Sequence, residues 1–525
     1  MDFSLADEKR WEAFWYAVTL TAPELLLVLG MCAVIIVPFF KRRSHKLPAA
    51  TAVIALVVAL LGAWSTLKGS SEPIFHGMLA IDPFSQMFKM LLIVFTIMII
   101  GQWFVVRDPK SSKLDTPDFM CLLLGATFGM SIMASANNLL MIFLAMESAS
   151  FPSFALAGFR KLTKKGTEGA LKYVIFGAAS SAVMIYGMSL VYGATGSLNL
   201  GEVAAAASTN MSPLLCVGLL GMFAGLAFKL SAVPLHFWCP DVFEGAPIEV
   251  TTYLSVASKG AAIVLLVRVA GAFGFEGSFP GIAAGIGILG GITATWGNLC
   301  AYHQTNIKRL LAYSSIGHAG YMIMAASLMA AGGDVSTEKI AGGIMFYLFI
   351  YMFMNLGAFT IAALIAQRTG SEDIRDYADL KTRSTSLAVF MLICLMSLFG
   401  MPGLGGFIAK IYLAISMDGA GLGSIMLVSV LFFNTLLSLF YYMRPVVIMF
   451  LRKDDQDRPA IVPEKPGWMM VCGCVIVLGI TGVLPGVGEF TREHNTIVRT
   501  EVKQAAPVPT VTIDGKTEPL AQQIP

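Results

Sequence analysis

Charge is scarce in this chain. Asp, Glu, Lys and Arg make up 13% of its 525 residues, about half of the roughly 25% usual for a soluble domain. What remains nearly cancels: 36 Lys and Arg against 33 Asp and Glu leave a net +3. That excludes a nucleic-acid binder acting through a strongly basic surface. Cysteine is sparse as well, eight residues with no CxxC pair, which excludes a disulfide scaffold. Most of the cysteines lie inside apolar segments, where a thiol serves as a small filler. No Walker A sequence or dinucleotide-binding loop follows a strand, and no His or Cys cluster offers haem or iron–sulfur ligation. The start, MDFSLADEKRWEAFW, lacks the basic region of a cleavable signal, so the first apolar run is expected to stay as an anchor.

Apolar residues are abundant, 56% of the chain, and they gather into runs long enough to cross a bilayer, about 20 residues each. About fourteen such runs are expected, near 18–40, 48–68, 80–106, 118–135, 137–159, 168–193, 212–238, 249–274, 279–302, 306–331, 341–367, 384–418, 423–450 and 468–488. The fold class is therefore an all-α polytopic membrane protein. Basic residues alternate between the connections. KRRSHK (41–46), Arg107, Lys110 and Lys113, Arg160 to Lys165, Lys308 and Arg309, Arg368 to Arg383, and Arg452 to Lys465 fall in odd-numbered loops. The even-numbered loops hold Lys68 and Lys339. By the positive-inside rule both termini belong on the outer face. The polar, proline-containing stretch 489–525 reads as an outer-face tail.

Two runs are interrupted. The seventh, LLGMFAGLAFKLSAVPLHFWCPDVF, has Pro234 just after Ser231; the twelfth gathers Gly400, Pro402, Gly403, Gly405 and Gly406 in mid-membrane. Each break has a lysine nearby, Lys229 and Lys410. Five spans separate them, and an odd offset turns the second copy upside down. Helices 4–8 (118–274) and 9–13 (275–450) then form two inverted five-helix repeats. Around them stand helices 1–3 (1–117) and an inner loop with the last helix (451–488).

A lone charge in mid-membrane costs at least about 2.5–3.5 kcal/mol on insertion scales. Glu147, Lys229, Lys259, His318 and Lys410 nevertheless lie at similar depth in five separate runs. Burial and a nearby carboxylate can switch a lysine between its charged and neutral forms, and histidine titrates near neutrality unaided. These five are the candidate proton-transfer residues; the alternatives are structural ion pairs or side chains snorkelling to the interface and, for His318, a core histidine satisfied by hydrogen bonds. His236 and Asp241, where the seventh span exits, are candidates for a proton entrance or for polar loop anchors. Arg268 and Arg444, near span ends, are expected to snorkel. Lys89 and Glu24 stay open between structure and function.

FKLSAVPLHFWCPDVFEGAP (228–247), TTYLSVASKGA (251–261), QTNIKRLLAYSSIGHAGYMI (304–323) and GMPGLGGFIAKIYL (400–413) resemble the antiporter-like subunits of respiratory complex I, the proton-translocating NADH–quinone oxidoreductase. Within that family, PDVFEGAP and the lysine of VASKG are most similar to the bacterial N-subunit branch. The resemblance implies two inverted five-helix repeats, a hydrated polar axis and a place in the bacterial inner membrane. On it, Glu147 matches the fifth-helix glutamate and Lys229 the lysine that pairs with it. Lys259 and His318 match connecting residues, and Lys410 the lysine toward the outer exit. It also implies that NADH, FMN, iron–sulfur clusters and quinone belong to partner subunits, with none bound by this chain. An Mrp-type cation/proton antiporter subunit, or a membrane scaffold that does not pump, would share the same helices.

Overall fold

In hydrocarbon a backbone must satisfy its own N–H and C=O groups, so long apolar runs become helices. The computed structural model describes residues 11, 14–40, 46–67, 73–106, 115–160, 163–332, 337–419, 421–453, 460–461, 465–483, 510–513 and 516–519. The spans are α1 (Ala22–Phe40), α2 (Lys46–Ser65), α3 (Pro83–Val106), α4 (Asp115–Ser135), α5 (Leu139–Ala157), α6 (Lys164–Thr195) and α7 (Pro213–Leu230). They continue as α8 (Ile248–Glu276), α9 (Pro280–Ala301), α10 (Ile307–Ser327), α11 (Thr337–Thr369), α12 in two halves (Thr385–Phe399 and Gly405–Ser416), α13 (Leu422–Leu451) and α14 (Lys465–Val483).

Among the described residues, 12 of these helices are long and apolar enough to cross a membrane unaided. The two exceptions have physical causes. α10 carries Lys308, Arg309, Ser314, Ser315 and His318, and it is buried almost throughout, shielded from lipid by its neighbours. α12 is two short apolar helices because its glycine-rich centre is not helical. Several span ends move from the expected positions: α6 and α11 are both longer at each end. The loop charges at 41–45, Lys68, Arg107, Lys110, Lys113, Lys161 and Arg458 lie outside the described residues, as does most of the tail from 489. Within that tail, Thr510–Ile513 pairs antiparallel with Lys516–Pro519.

The break after α7 is capped by Ser231 in the left-handed region, φ 56°, whose N–H returns to Ala227 and Phe228. The peptide bond from Val233 to Pro234 is cis. Trp238, opening the short helix Trp238–Gly245, donates its indole N–H to the Phe228 carbonyl at 3.0 Å. In α12, Gly400 takes φ 91° and its N–H returns to Met396 and Ser397. Backbone freed by both breaks is thus re-satisfied inside the protein, as hydrocarbon demands. α8 contains one π-helical turn, Leu254–Ser258, directly before Lys259.

The inverted repeat has a local signature that periodicity does not reveal. α5 begins at Asn138, which caps Leu140 N–H and bridges to Asn199 after α6. α10 begins at Asn306, which caps Lys308 and Arg309 and bridges to Asp373 after α11. The bridging partners close equivalent turns, TGSLN (195–199) and TGSED (369–373). In each, the serine N–H bonds the threonine hydroxyl and the glycine has φ 70°. Five spans separate the two copies, so they stand at opposite ends of the bundle. α3 packs on α4, α8 and α11 and ties the first three helices to both repeats.

Candidate functional site

Lys229, Lys259, His318 and Lys410 are between 1% and 3% exposed, each on a different helix. None of the three lysines forms an ion pair among the described residues. Their partners are neutral. Lys229 Nζ donates to Ser150 Oγ on α5 at 2.9 Å. Lys259 Nζ donates to Ser315 Oγ on α10 at 2.5 Å and to Cys239 Sγ at 3.4 Å, and it lies 5.5 Å from the Phe243 ring centre. Lys410 Nζ donates to the Phe399 carbonyl, freed where α12 breaks, at 2.7 Å, and sits 5.4 Å from the Tyr321 ring. A charge brought close to any of them therefore changes what its ammonium costs.

Aromatic hydroxyls surround His318. Its Nδ1 is 2.6 Å from Tyr347 Oη and its Nε2 is 3.2 Å from Tyr442 Oη. Tyr442 in turn shares a short hydrogen bond with Ser314. His318 on α10 thus stands between Lys259, whose serine partner is also on α10, and Lys410, whose ammonium lies over Tyr321 of that helix. Glu147 is half-buried and accepts from Ser181 Oγ at 2.5 Å. It does not touch Lys229; each holds a serine instead. Ser150, Ser181, Ser315, Tyr347 and Tyr442 are hydrogen-bond partners of the candidate residues that sequence reasoning missed. Their signal was present, since a buried hydroxyl in a span needs a partner, but spacing does not say which one.

His236 accepts from Trp296 Nε1 at 3.1 Å, beside the break after α7. Asp241 is tied down. Lys172 and Arg309 each reach its carboxylate at 2.7 Å, and Arg309 and Lys165 also hold Glu244, at 2.9 and 2.7 Å. Burial raises both carboxyls, yet the hydrogen bonds from Lys172 and Arg309 leave Asp241 below its ordinary range, and those from Lys165 and Arg309 do the same for Glu244. Lys308 and Arg309, expected as loop charges, are the first turn of α10, and Lys308 is buried against Glu372 at 2.9 Å.

The structure also bears on the other in-span charges. Arg268 does not snorkel: it is 3% exposed and pairs with Asp82 at 2.9 Å while donating to the Ala134 carbonyl. Lys89 and Glu24 are partners of each other, 2.7 Å apart. Arg444 caps the carbonyls of Tyr302 and Gln304, where α9 ends.

A profile of the family "NADH:quinone oxidoreductase/Mrp antiporter, TM" matches residues 136–438, which hold all five residues of the row. The chain belongs to this family. A subunit N of NADH-quinone oxidoreductase from Anaeromyxobacter sp. (strain Fw109-5) is 38% identical, covering 91% of this chain and 94% of its own. A chain of respiratory complex I from Thermus thermophilus is 28% identical with a TM-score of 0.71, covering 89% of this chain and 98% of its own. A chain of the Mrp complex from Dietzia sp. DQ12-45-1b superposes with a TM-score of 0.76 at 18% identity, covering 91% of this chain and 96% of its own. That last likeness shows the shared fold alone. This is a polytopic membrane protein of the antiporter-like class.

Proposed function

We propose that this chain is the N-type membrane subunit of a proton-translocating NADH–quinone oxidoreductase. In this reading it moves protons along Glu147, Lys229, Lys259, His318 and Lys410 while quinone is reduced in other subunits. The observation that carries the reading is three deeply buried lysines, each held by a neutral hydrogen-bond partner. A permanent structural charge in such a place is normally paired. The shared fold does not separate this from an Mrp antiporter; the 38% identity to a subunit N over 91% of the chain favours the respiratory assignment.

Moving one charge against about 150 mV takes roughly 3.5 kcal/mol. Two unit charges 4 Å apart at an effective dielectric constant of 20 interact by about 4 kcal/mol. Closing or opening a single Glu147–Lys229 pair is therefore enough to load or release a proton. In the structure the pair is open, with Ser150 and Ser181 as the resting partners. When it closes, Lys229 is held charged; when it opens, the proton moves to Lys259, passes the His318–Tyr442 hydroxyl cluster and reaches Lys410. His236, beside the break, suits an entrance better than Asp241, whose two cations keep it ionised.

Both termini on the outer face and the first three helices as a unit beside two five-helix repeats complete the proposal. NADH, FMN, iron–sulfur clusters and quinone are assigned to neighbouring subunits of the assembled complex. The test is purification together with vesicle transport. The chain should co-isolate with flavin and iron–sulfur subunits, and Lys410→Arg should pump where Lys410→Ala does not. Isolation without redox subunits, or full pumping in Lys410→Ala, contradicts it.

A further inference from the structure

The central row leaves unused a second line of buried polar side chains. On α3, Asp82 at its start, Gln86, Lys89 and Thr96 recur at helical spacing and face one side. α4 answers with Thr127, Ser131 and Ser135, and α1 contributes Glu24. At one end lies the Asp82–Arg268 pair. One turn on, Gln86 is 0% exposed and bonds through neither Oε1 nor Nε2 to any described residue. Next, Lys89 meets Glu24 Oε1 at 2.7 Å, and Ser131 Oγ donates to the same oxygen at 2.7 Å, leaving Glu24 Oε2 without a hydrogen bond to any described residue. Beyond them Thr96, Thr127 and Tyr253 are linked at 3.2 and 2.8 Å, and Tyr253 belongs to α8, the helix of Lys259.

A buried amide is almost always satisfied, by ordered water where protein does not reach it. Gln86 lies between two ion pairs, with Glu24 Oε2 also unmet, so a water there has polar partners. An ion pair with a hydroxyl on one side and water on the other is a place where a proton can change hands. A pair that served only to clamp helices has no use for a buried, unpartnered amide one turn away.

We propose that Glu24 and Lys89 form a second protonatable site, hydrated through Gln86 and opening past Asp82–Arg268 toward the face where α3 begins. In the orientation proposed above, that is the outer face. A proton arriving by way of Ser131 neutralises Glu24 and opens the pair. Lys89 then gives its own proton to the water on Gln86. Transfer from Glu24 to the neutral amine restores the starting state: one proton in, one out, with no change of oxidation state. The transport step rests on the proton-translocating reading; the hydration does not.

The test uses the whole complex in proteoliposomes and reads protons ejected per NADH oxidised. Gln86→Leu and the paired change Glu24→Gln with Lys89→Met should lower that ratio, and Gln86→Asn, which keeps the amide, should preserve it. An unchanged ratio in both Gln86→Leu and the paired variant overturns the proposal. A cryo-EM map of the unaltered complex that resolves internal waters should show density on Gln86, and a dry Gln86 overturns it whether or not the variants assemble. Lys229→Met, measured in parallel, separates the two ideas. Intact pumping there strikes at the central row and leaves the Gln86 water standing.

Discussion

Lys229 donates to Ser150 at 2.9 Å, although Glu147 lies on the same helix as that serine, one turn away. The carboxylate has its own serine, Ser181 of α6, at 2.5 Å. Two opposite ionisable groups, one buried and one half-buried, each bonded to a hydroxyl and not to the other, describe a contact that can be made and broken. A hydrogen bond to a charged group is worth about 1.5–3 kcal/mol, so the two serines are strong enough to hold the open arrangement. They are not strong enough to forbid the closed one.

Ser150→Ala should bias the pair toward closure and slow proton release from Lys229. About 1.4 kcal/mol is a tenfold change in rate, so the rate of NADH-driven acidification is expected to fall by up to roughly tenfold when this step limits it. Ser150→Thr, which retains a hydroxyl, should recover most of it. Vesicle acidification followed beside NADH oxidation checks both, and equal pumping in the alanine variant removes Ser150 from the pathway.

The Asp82–Arg268 pair is a buried stability element at one end of the second seam. Removing one partner of a buried pair costs about 3–5 kcal/mol, because the other charge is stranded. Arg268→Met should therefore lower the yield and the melting temperature of the assembled complex. Restoring neutrality with Asp82→Asn in the same chain should recover part of the loss. Thermal melting of detergent-solubilised complexes measures the difference.

Asp241 and Glu244 give a pH-dependent contribution whose sign is fixed. Their carboxyls titrate below the ordinary range, so the stabilisation they supply is complete above about pH 4. It is lost as pH falls through their depressed values. Arg309→Met removes the shared cation and should destabilise the subunit at pH 7. The gap between variant and wild type should narrow as the medium is acidified below about pH 4. A gap that stays constant into acid would mean that Arg309 acts by packing alone.

Glycine at 406 is required by the break in α12. A Cβ there would stand 1.8 Å from the Ser397 carbonyl oxygen, which is backbone and has little freedom to retreat. Overpacking of this kind costs about 1–3 kcal/mol, and Gly406→Ala should also displace Lys410, four residues on. At Gly285 of α9 a Cβ meets nothing within 4 Å, so Gly285→Ala should behave as wild type in both melting temperature and pumping. The contrast separates glycines that permit packing from glycines that merely occur in a span.

Helix number, the two breaks and the ionisable residues lodged within the spans were legible in the sequence, because each depends on rules that act locally. Apolar length makes a span, Pro234 or Gly400–Gly406 interrupts one, and an ionisable residue in mid-run stands out against its neighbours. Pairing was not legible. Nothing in the spacing joins Arg268 to Asp82 or Glu24 to Lys89, because contacts between distant helices are set by packing. The same limit hid the serines: periodicity marks Ser150 and Ser315 as polar residues in a span, and only the crossing of α7 and α8 with α5 and α10 makes them lysine partners. The TGSLN and TGSED turns were visible in the text of the chain, but a shared run of three residues gains meaning only when both copies close against an asparagine cap.

Proton transport by the Lys229→Met complex tests the central claim most directly. That variant keeps most of the side chain's apolar stem and removes its ability to carry a proton. In sealed vesicles oxidising NADH, with quinone reduction and outer-face acidification recorded together, it is expected to acidify less per electron pair than the unaltered complex. An unchanged ratio of protons to electrons in a fully assembled Lys229→Met complex would contradict the role given to this row.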